Sequence, residues 1–169
     1  DPVLWGSSTV ARSCDEDSLV QWDDVATDAD GGGIEYSIIT QPQYGSITQP
    51  DGITDPTFQF SPSTANWSGG AGTGKIRATS PTGYVEKEIT FTVNAVDDAP
   101  DAGSALSYTV AEDGSAVTGT FSATDVDTDA SDLRYTFRVN GEDETTVNTS
   151  LGTYTLTHAT NGTWSYTPD

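Results

Sequence analysis

Three features of the sequence predict an all-β chain folded as two tandem β-sandwiches, the second lacking its last strands. Short β-prone runs recur with Gly, Pro, Asn or Asp between them at intervals of roughly 8–12 residues, the punctuation of a sandwich. No apolar stripe of helical period reaches a useful length. Finally, landmarks of the first half return in the same order in the second, the mark of a duplicated domain.

In chain order, the first half offers "GIEYSIIT", "YGSIT" and "TFQFSP", then "KIRAT" and "YVEKEITFTVNAV", room for two further strands. The second half offers "TGTFSATDV", "LRYTFRV", "GTYTLT" and "GTWSYTP", and has nothing after the last. The echoes are specific. "DP" at 1–2 returns as "DAP" at 98–100, and "EDS" at 16–18 as "EDG" at 112–114. "VATDAD" at 25–30 returns as "SATDVD" at 122–127, "IEYSI" at 34–38 as "LRYTF" at 133–137, and "TFQFSP" at 57–62 as "TWSYTP" at 163–168. The spacing holds too: Glu16 to Asp28 is 12 residues and Glu112 to Asp125 is 13. The domains are expected at 1–97 and 98–169. An incomplete second sheet would leave an open, adhesive edge.

The chain of 169 residues carries 26 acidic and 6 basic side chains, a net charge of -20. Such a surface repels nucleic acid and anionic membranes. It suits hard cations held by oxygen, or a salt-rich setting that screens it. Cys14 is the sole cysteine, so no internal disulfide forms, and its acidic neighbours Asp15, Glu16 and Asp17 blunt the thiol. With no apolar run near 18 residues and no signal peptide, the chain reads as a piece of something larger.

The acidic residues are patterned. Ca²⁺ takes six to eight oxygens from carboxylates, carbonyls and water. A D-x-D step on a turn brings two carboxylates together, and Asp28/Asp30 and Asp125/Asp127 are two such steps, each between strand-like runs. "NAVDDAPDAG" at 94–103 adds Asp97 and Asp98 in the linker. Asp97, Asp98, Asp125 and Asp127 thus form a candidate cation site, with Asp129 and Asp132 as auxiliaries. "DVDTDASD" does not fit a helix–loop–helix calcium loop, because Ala130 stands where Gly is needed and Thr136 where Glu is needed.

"VNAVDDAP", "EDS"/"EDG" and "ATDAD"/"ATDVD" resemble the cadherin-like repeats of large bacterial surface proteins, RTX-type adhesins among them. The second copy, with "GTFSATDVD" and "NGTWSYTPD", is similar to a VCBS repeat. The resemblance implies Greek-key sandwiches of cadherin or immunoglobulin type, strung end to end outside the cell and stiffened by calcium at each junction. It implies that Glu16 joins the linker set, that Glu112 serves a downstream junction, and that Asp1, Asp28 and Asp30 serve an upstream one. Cadherins place a further acidic motif late in the upper domain. The matching stretch, "SPSTANWSGGAGTG", has no acid, so one or two ions are expected rather than three. The partners implied are neighbouring repeats of the same chain.

A carbohydrate-binding module of a polysaccharide-active protein is the alternative, with Trp5, Trp22 and Trp67 as sugar platforms. An enzyme is not expected: His158 is the only histidine, and no nucleophile–base arrangement can be built around it.

Overall fold

In the computed structural model, which describes residues 1–169, the chain is all β and divides into two compact units, Asp1–Val96 and Asp97–Asp169. Unit 1 holds β1 (Thr9–Asp15), β2 (Val20–Asp23), β3 (Glu35–Thr40), β4 (Gly45–Thr48), β5 (Thr57–Pro62), β6 (Gly69–Ser80) and β7 (Gly83–Asn94). They form two sheets, β1-β7-β6-β3 and β2-β5-β4, with the core between them.

The strand β7 explains most of this arrangement. Its residues alternate, so Lys87, Ile89, Phe91 and Val93 point inward while Glu88, Thr90 and Thr92 face solvent. One edge pairs in parallel with β1, from Thr9↔Glu88 to Asp15↔Asn94, and the other pairs antiparallel with β6. The inward face of β7 meets the opposite sheet through rings: Phe91 stacks on Phe60 at 4.2 Å and lies 5.7 Å from Trp22, which in turn stacks on Phe58 at 5.9 Å. Phe58, Phe60, Phe91, Ile47, Ile76 and Ile89 are fully buried.

Strand β6 begins inside a glycine run. Gly72 takes a left-handed φ of 92° where the β6–β7 register shifts, a conformation that costs glycine little. Gly74 lies against Ile47 and Pro42, where a side chain would collide with Ile47 and crowd Pro42.

One pair breaks the apolar rule. Lys87 and Asp24 are both buried and form an ion pair, with the Lys87 ammonium 5.0 Å above the Trp5 ring and the Trp5 indole N–H donating to the Asp24 carbonyl at 3.3 Å. Desolvation of the two charges is offset only while both are present.

Unit 2 holds β8 (Val117–Thr120), β9 (Phe137–Val139), β10 (Glu142–Glu144), β11 (Thr146–Thr149), β12 (Gly152–His158) and β13 (Thr163–Pro168). Its main sheet runs β11-β12-β13-β8, and its second is only the β9–β10 hairpin. The order β8-β13-β12 repeats β2-β5-β4. The cross-strand pair Trp22↔Phe58 becomes Gly119↔Trp164, so the large ring has moved to the other strand. Residues 97–169 contain no counterparts of β6 and β7, and residues 105–111, which correspond to β1, pair with no strand.

The Lys87→Met variant, which leaves Asp24 buried and alone, is expected to lose about 3–5 kcal/mol. Adding Asp24→Leu should recover most of that loss. Urea melts followed by tryptophan fluorescence check both.

Candidate metal-binding turns

The two D-x-D steps share one hydrogen bond. In each, the second aspartate's amide donates to the first aspartate's Oδ1 at 2.9 Å: Asp30 to Asp28 in unit 1, Asp127 to Asp125 in unit 2. Thr128 adds a second amide to Asp125 Oδ1 at 2.8 Å. This is the Asx turn, in which a short side chain substitutes for backbone and holds the carboxylate in place.

Each turn is anchored from two directions. The residue before its first aspartate makes an isolated antiparallel bridge to the start of its unit, Thr27↔Leu4 and Thr124↔Asp101. One position earlier, the amide of Ala26 donates to the Tyr36 hydroxyl at 3.1 Å, and that of Ala123 to Tyr135 at 3.0 Å. The tyrosines of "IEYSI" and "LRYTF" therefore clamp the turns from the following strand region.

The second carboxylate of each turn receives the nitrogen of the unit's opening aspartate. The Asp98 amide donates to Asp127 Oδ2 at 2.7 Å, and the α-ammonium of Asp1 pairs with Asp30 Oδ2. Asp98, Asp125 and Asp127 thus come together within unit 2, and Asp1, Asp28 and Asp30 within unit 1. Asp97 is exposed beside the first set.

Glu16 follows β1 immediately, 12 residues before Asp28. It is buried, its amide donates to the Asn94 carbonyl at 2.9 Å, and its Oε1 accepts the Val96 amide at 2.7 Å. The residue after it, Asp17, has a left-handed φ of 57°, and Asp113 repeats this at 52°. Glu112 itself is exposed, because the strand end that Glu16 grips in unit 1 has no counterpart in residues 97–169. Asp129 and Asp132 are exposed and form a turn of their own, with the Asp132 amide donating to the Asp129 carbonyl at 2.8 Å.

No group of three or more carboxylate, imidazole or thiol side chains stands close enough together to hold a metal ion. The donor chemistry nevertheless fits an oxygen-seeking cation. Asp28 Oδ2 is buried without a hydrogen-bond partner. A buried carboxylate oxygen with nothing to accept is costly, and a cation would relieve it.

Of the tryptophans, Trp22 is a core residue and offers no sugar platform, and Trp5 is covered by Lys87. Trp67 is half-buried and packs 4.8 Å from the exposed Tyr44. His158 is exposed at the end of β12. Cys14 is buried, and burial first, then the neighbouring Asp15 charge, pushes its thiol upward from its ordinary value.

Two features of the arrangement have little or no signature in the sequence. The Asp24–Lys87 pair had one signal: Lys87 occupies an inward position in the alternation Val85, Lys87, Ile89, Phe91, Val93. The grip of Glu16 on the Val96 amide had none, since a backbone donor leaves no trace in side-chain pattern.

No protein-family model matches the chain. No curated protein matches it either. Among solved structures it is similar to an endo-fucoidan hydrolase of glycoside hydrolase family 107, at 17% identity and a TM-score of 0.45 over 99% of this chain and 24% of that one. It is also similar to the extracellular cadherin domains 1–5 of protocadherin gamma B2, at 10% identity and a TM-score of 0.45 over 99% and 32% of the two chains. The titin domains Z1Z2 in complex with telethonin align at 15% identity and a TM-score of 0.41, over 98% and 80%. The chain thus spans about a quarter of the hydrolase and a third of the protocadherin fragment.

Replacing Tyr36 by Phe leaves the Ala26 amide buried without its acceptor, and a loss of about 1–3 kcal/mol is expected in a thermal or urea melt. Cys14 should stay unlabelled by a thiol reagent at pH 8 in the folded chain and react fully once the chain is unfolded.

Proposed function

We propose that the chain is a calcium-stiffened spacer, a non-catalytic pair of repeats from a larger extracellular adhesive protein. The observation that carries this reading is how the connecting segment is held. The Val96 amide is bound by Glu16 of unit 1, and the Asp98 amide by Asp127 of unit 2. Two carboxylates expected as metal ligands, Glu16 from the resemblance and Asp127 from its D-x-D step, thus each accept a backbone amide, of Val96 and Asp98 respectively.

Asp97, Asp98, Asp125 and Asp127 would hold calcium at the start of unit 2, Asp28 and Asp30 would hold it at the start of unit 1, and Glu16 would bind it beside the end of β7. Glu112 would serve the unit that follows. The ion supplies positive charge shared among carboxylates that otherwise repel one another. A cation that binds only the ordered arrangement stabilises that arrangement by mass action. Extracellular calcium modules bind at about 10⁻⁴–10⁻³ M, so the device would be slack in cytosol and taut outside the cell.

A calcium titration followed by calorimetry and small-angle scattering, with a chelator control, tests this. At about 10 mM calcium a site in that affinity range contributes about 1.4–2.7 kcal/mol. The melting temperature should rise by several degrees, and the particle should become longer and stiffer. Asp125→Ala combined with Asp127→Ala should remove the stiffening. Unchanged scattering and melting at 10 mM calcium would leave these residues as solvated turns.

A further inference from the structure

Strand β7 ends at Asn94, and the residues that follow it, 95–97, are all exposed. The Val96 side chain is itself 44% exposed, so no apolar anchor holds this segment to the core. Its backbone is held instead, by the 2.7 Å hydrogen bond from the Val96 amide to Glu16 Oε1. We infer that Glu16 is a latch that works without metal: its carboxylate fixes the segment leaving unit 1 by accepting the Val96 amide, whether or not a cation is bound.

The local structure prepares Glu16 for this. Strand β1 pairs in parallel with β7 as far as Asp15↔Asn94, and the Glu16 amide adds one more rung by donating to the Asn94 carbonyl at 2.9 Å. Asn94 is tied back by its own side chain, whose Nδ2 donates to Asp15 Oδ1 at 3.1 Å. The chain then turns at once. Asp17 takes a left-handed φ of 57°, the Ser18 hydroxyl donates to the Asp15 carbonyl at 2.6 Å, and Asp17 Oδ1 accepts the Asn66 amide at 3.0 Å. The Glu16 backbone is thus pinned on both sides, and the residue is buried. A carboxylate placed in advance loses little freedom on accepting the amide, and burial strengthens a bond to a charged acceptor.

Side-chain length is what the latch requires. Glu16 starts beyond the last β1 rung and reaches to the second residue past the end of β7. Aspartate, one methylene shorter, would keep the charge and lose the reach. Glutamine would keep the reach and an Oε1 acceptor and lose the charge. The latch is therefore separable from the calcium role proposed for the same residue, and it does not rest on that role, because both bonded groups belong to the chain.

Hydrogen exchange at the Val96 amide of the full chain, followed by nuclear magnetic resonance in excess chelator, tests this. The wild-type amide should be protected, and Glu16→Gln should keep most of that protection. Glu16→Asp and Glu16→Ala should speed exchange about ten- to a hundredfold, the range of a hydrogen bond to a charged group. The Ile89 and Phe91 amides report the fold and should stay protected throughout. A Val96 amide unprotected in chelator would overturn the inference, as would equal protection in Glu16→Gln and Glu16→Asp, a comparison that holds even where Glu16→Ala loosens the core. Calcium is then added to separate the two roles. Protection in chelator with no response to calcium upholds the latch and removes the ligand role, whereas protection that appears only with calcium overturns the latch and keeps the ligand role.

Discussion

The double pairing of β7 is the interaction on which the structure depends. One strand closes unit 1 by bonding β1 on one edge and β6 on the other, and it brings Ile89, Phe91 and Val93 into the core together. Its far end hands the chain to Val96, whose amide Glu16 captures. Residues 97–169 hold no counterpart of that strand; there, residues 105–111 pair with no strand and Glu112 is exposed.

The acidic turns at Asp28–Asp30 and Asp125–Asp127 share the Asx hydrogen bond, the bridge to the unit's first residues and the tyrosine clamp in both units. Their geometry is set locally, by Asx chemistry and one strand, and does not need the completed sandwich. A turn built this way holds its carboxylates at fixed positions against their mutual repulsion. The excess of acid over base makes that repulsion the prevailing electrostatic condition of the chain.

Much of this was legible in sequence because it rests on period and repetition. The alternation of "EITFTVN" marks β7 as half-buried, and the return of "ATDAD" as "ATDVD" marks the turns. The extent of β6 was harder to read. Its glycine run resembles a loop, yet it forms strand from Gly69, since Gly72 accommodates the bulge and Gly74 the close approach of Ile47. The role of Trp22 was also hidden, because a tryptophan followed by Asp23 and Asp24 looks like a surface platform until Phe58 and Phe91 are seen against it. The partners of backbone amides, Val96 on Glu16 and Asp98 on Asp127, are set by three-dimensional placement and have no side-chain signature.

The central claim is that the paired turns are cation sites, and amide chemical shifts test it residue by residue. In a calcium titration followed by nuclear magnetic resonance, the amides of Asp30, Asp98, Asp127 and Thr128 should move in saturable fashion, since each donates to, or belongs to, a ligating aspartate. The amides of the β2-β5-β4 sheet should stay still. A small, unsaturable drift spread evenly over all acidic residues would contradict the claim and leave only diffuse counterion screening.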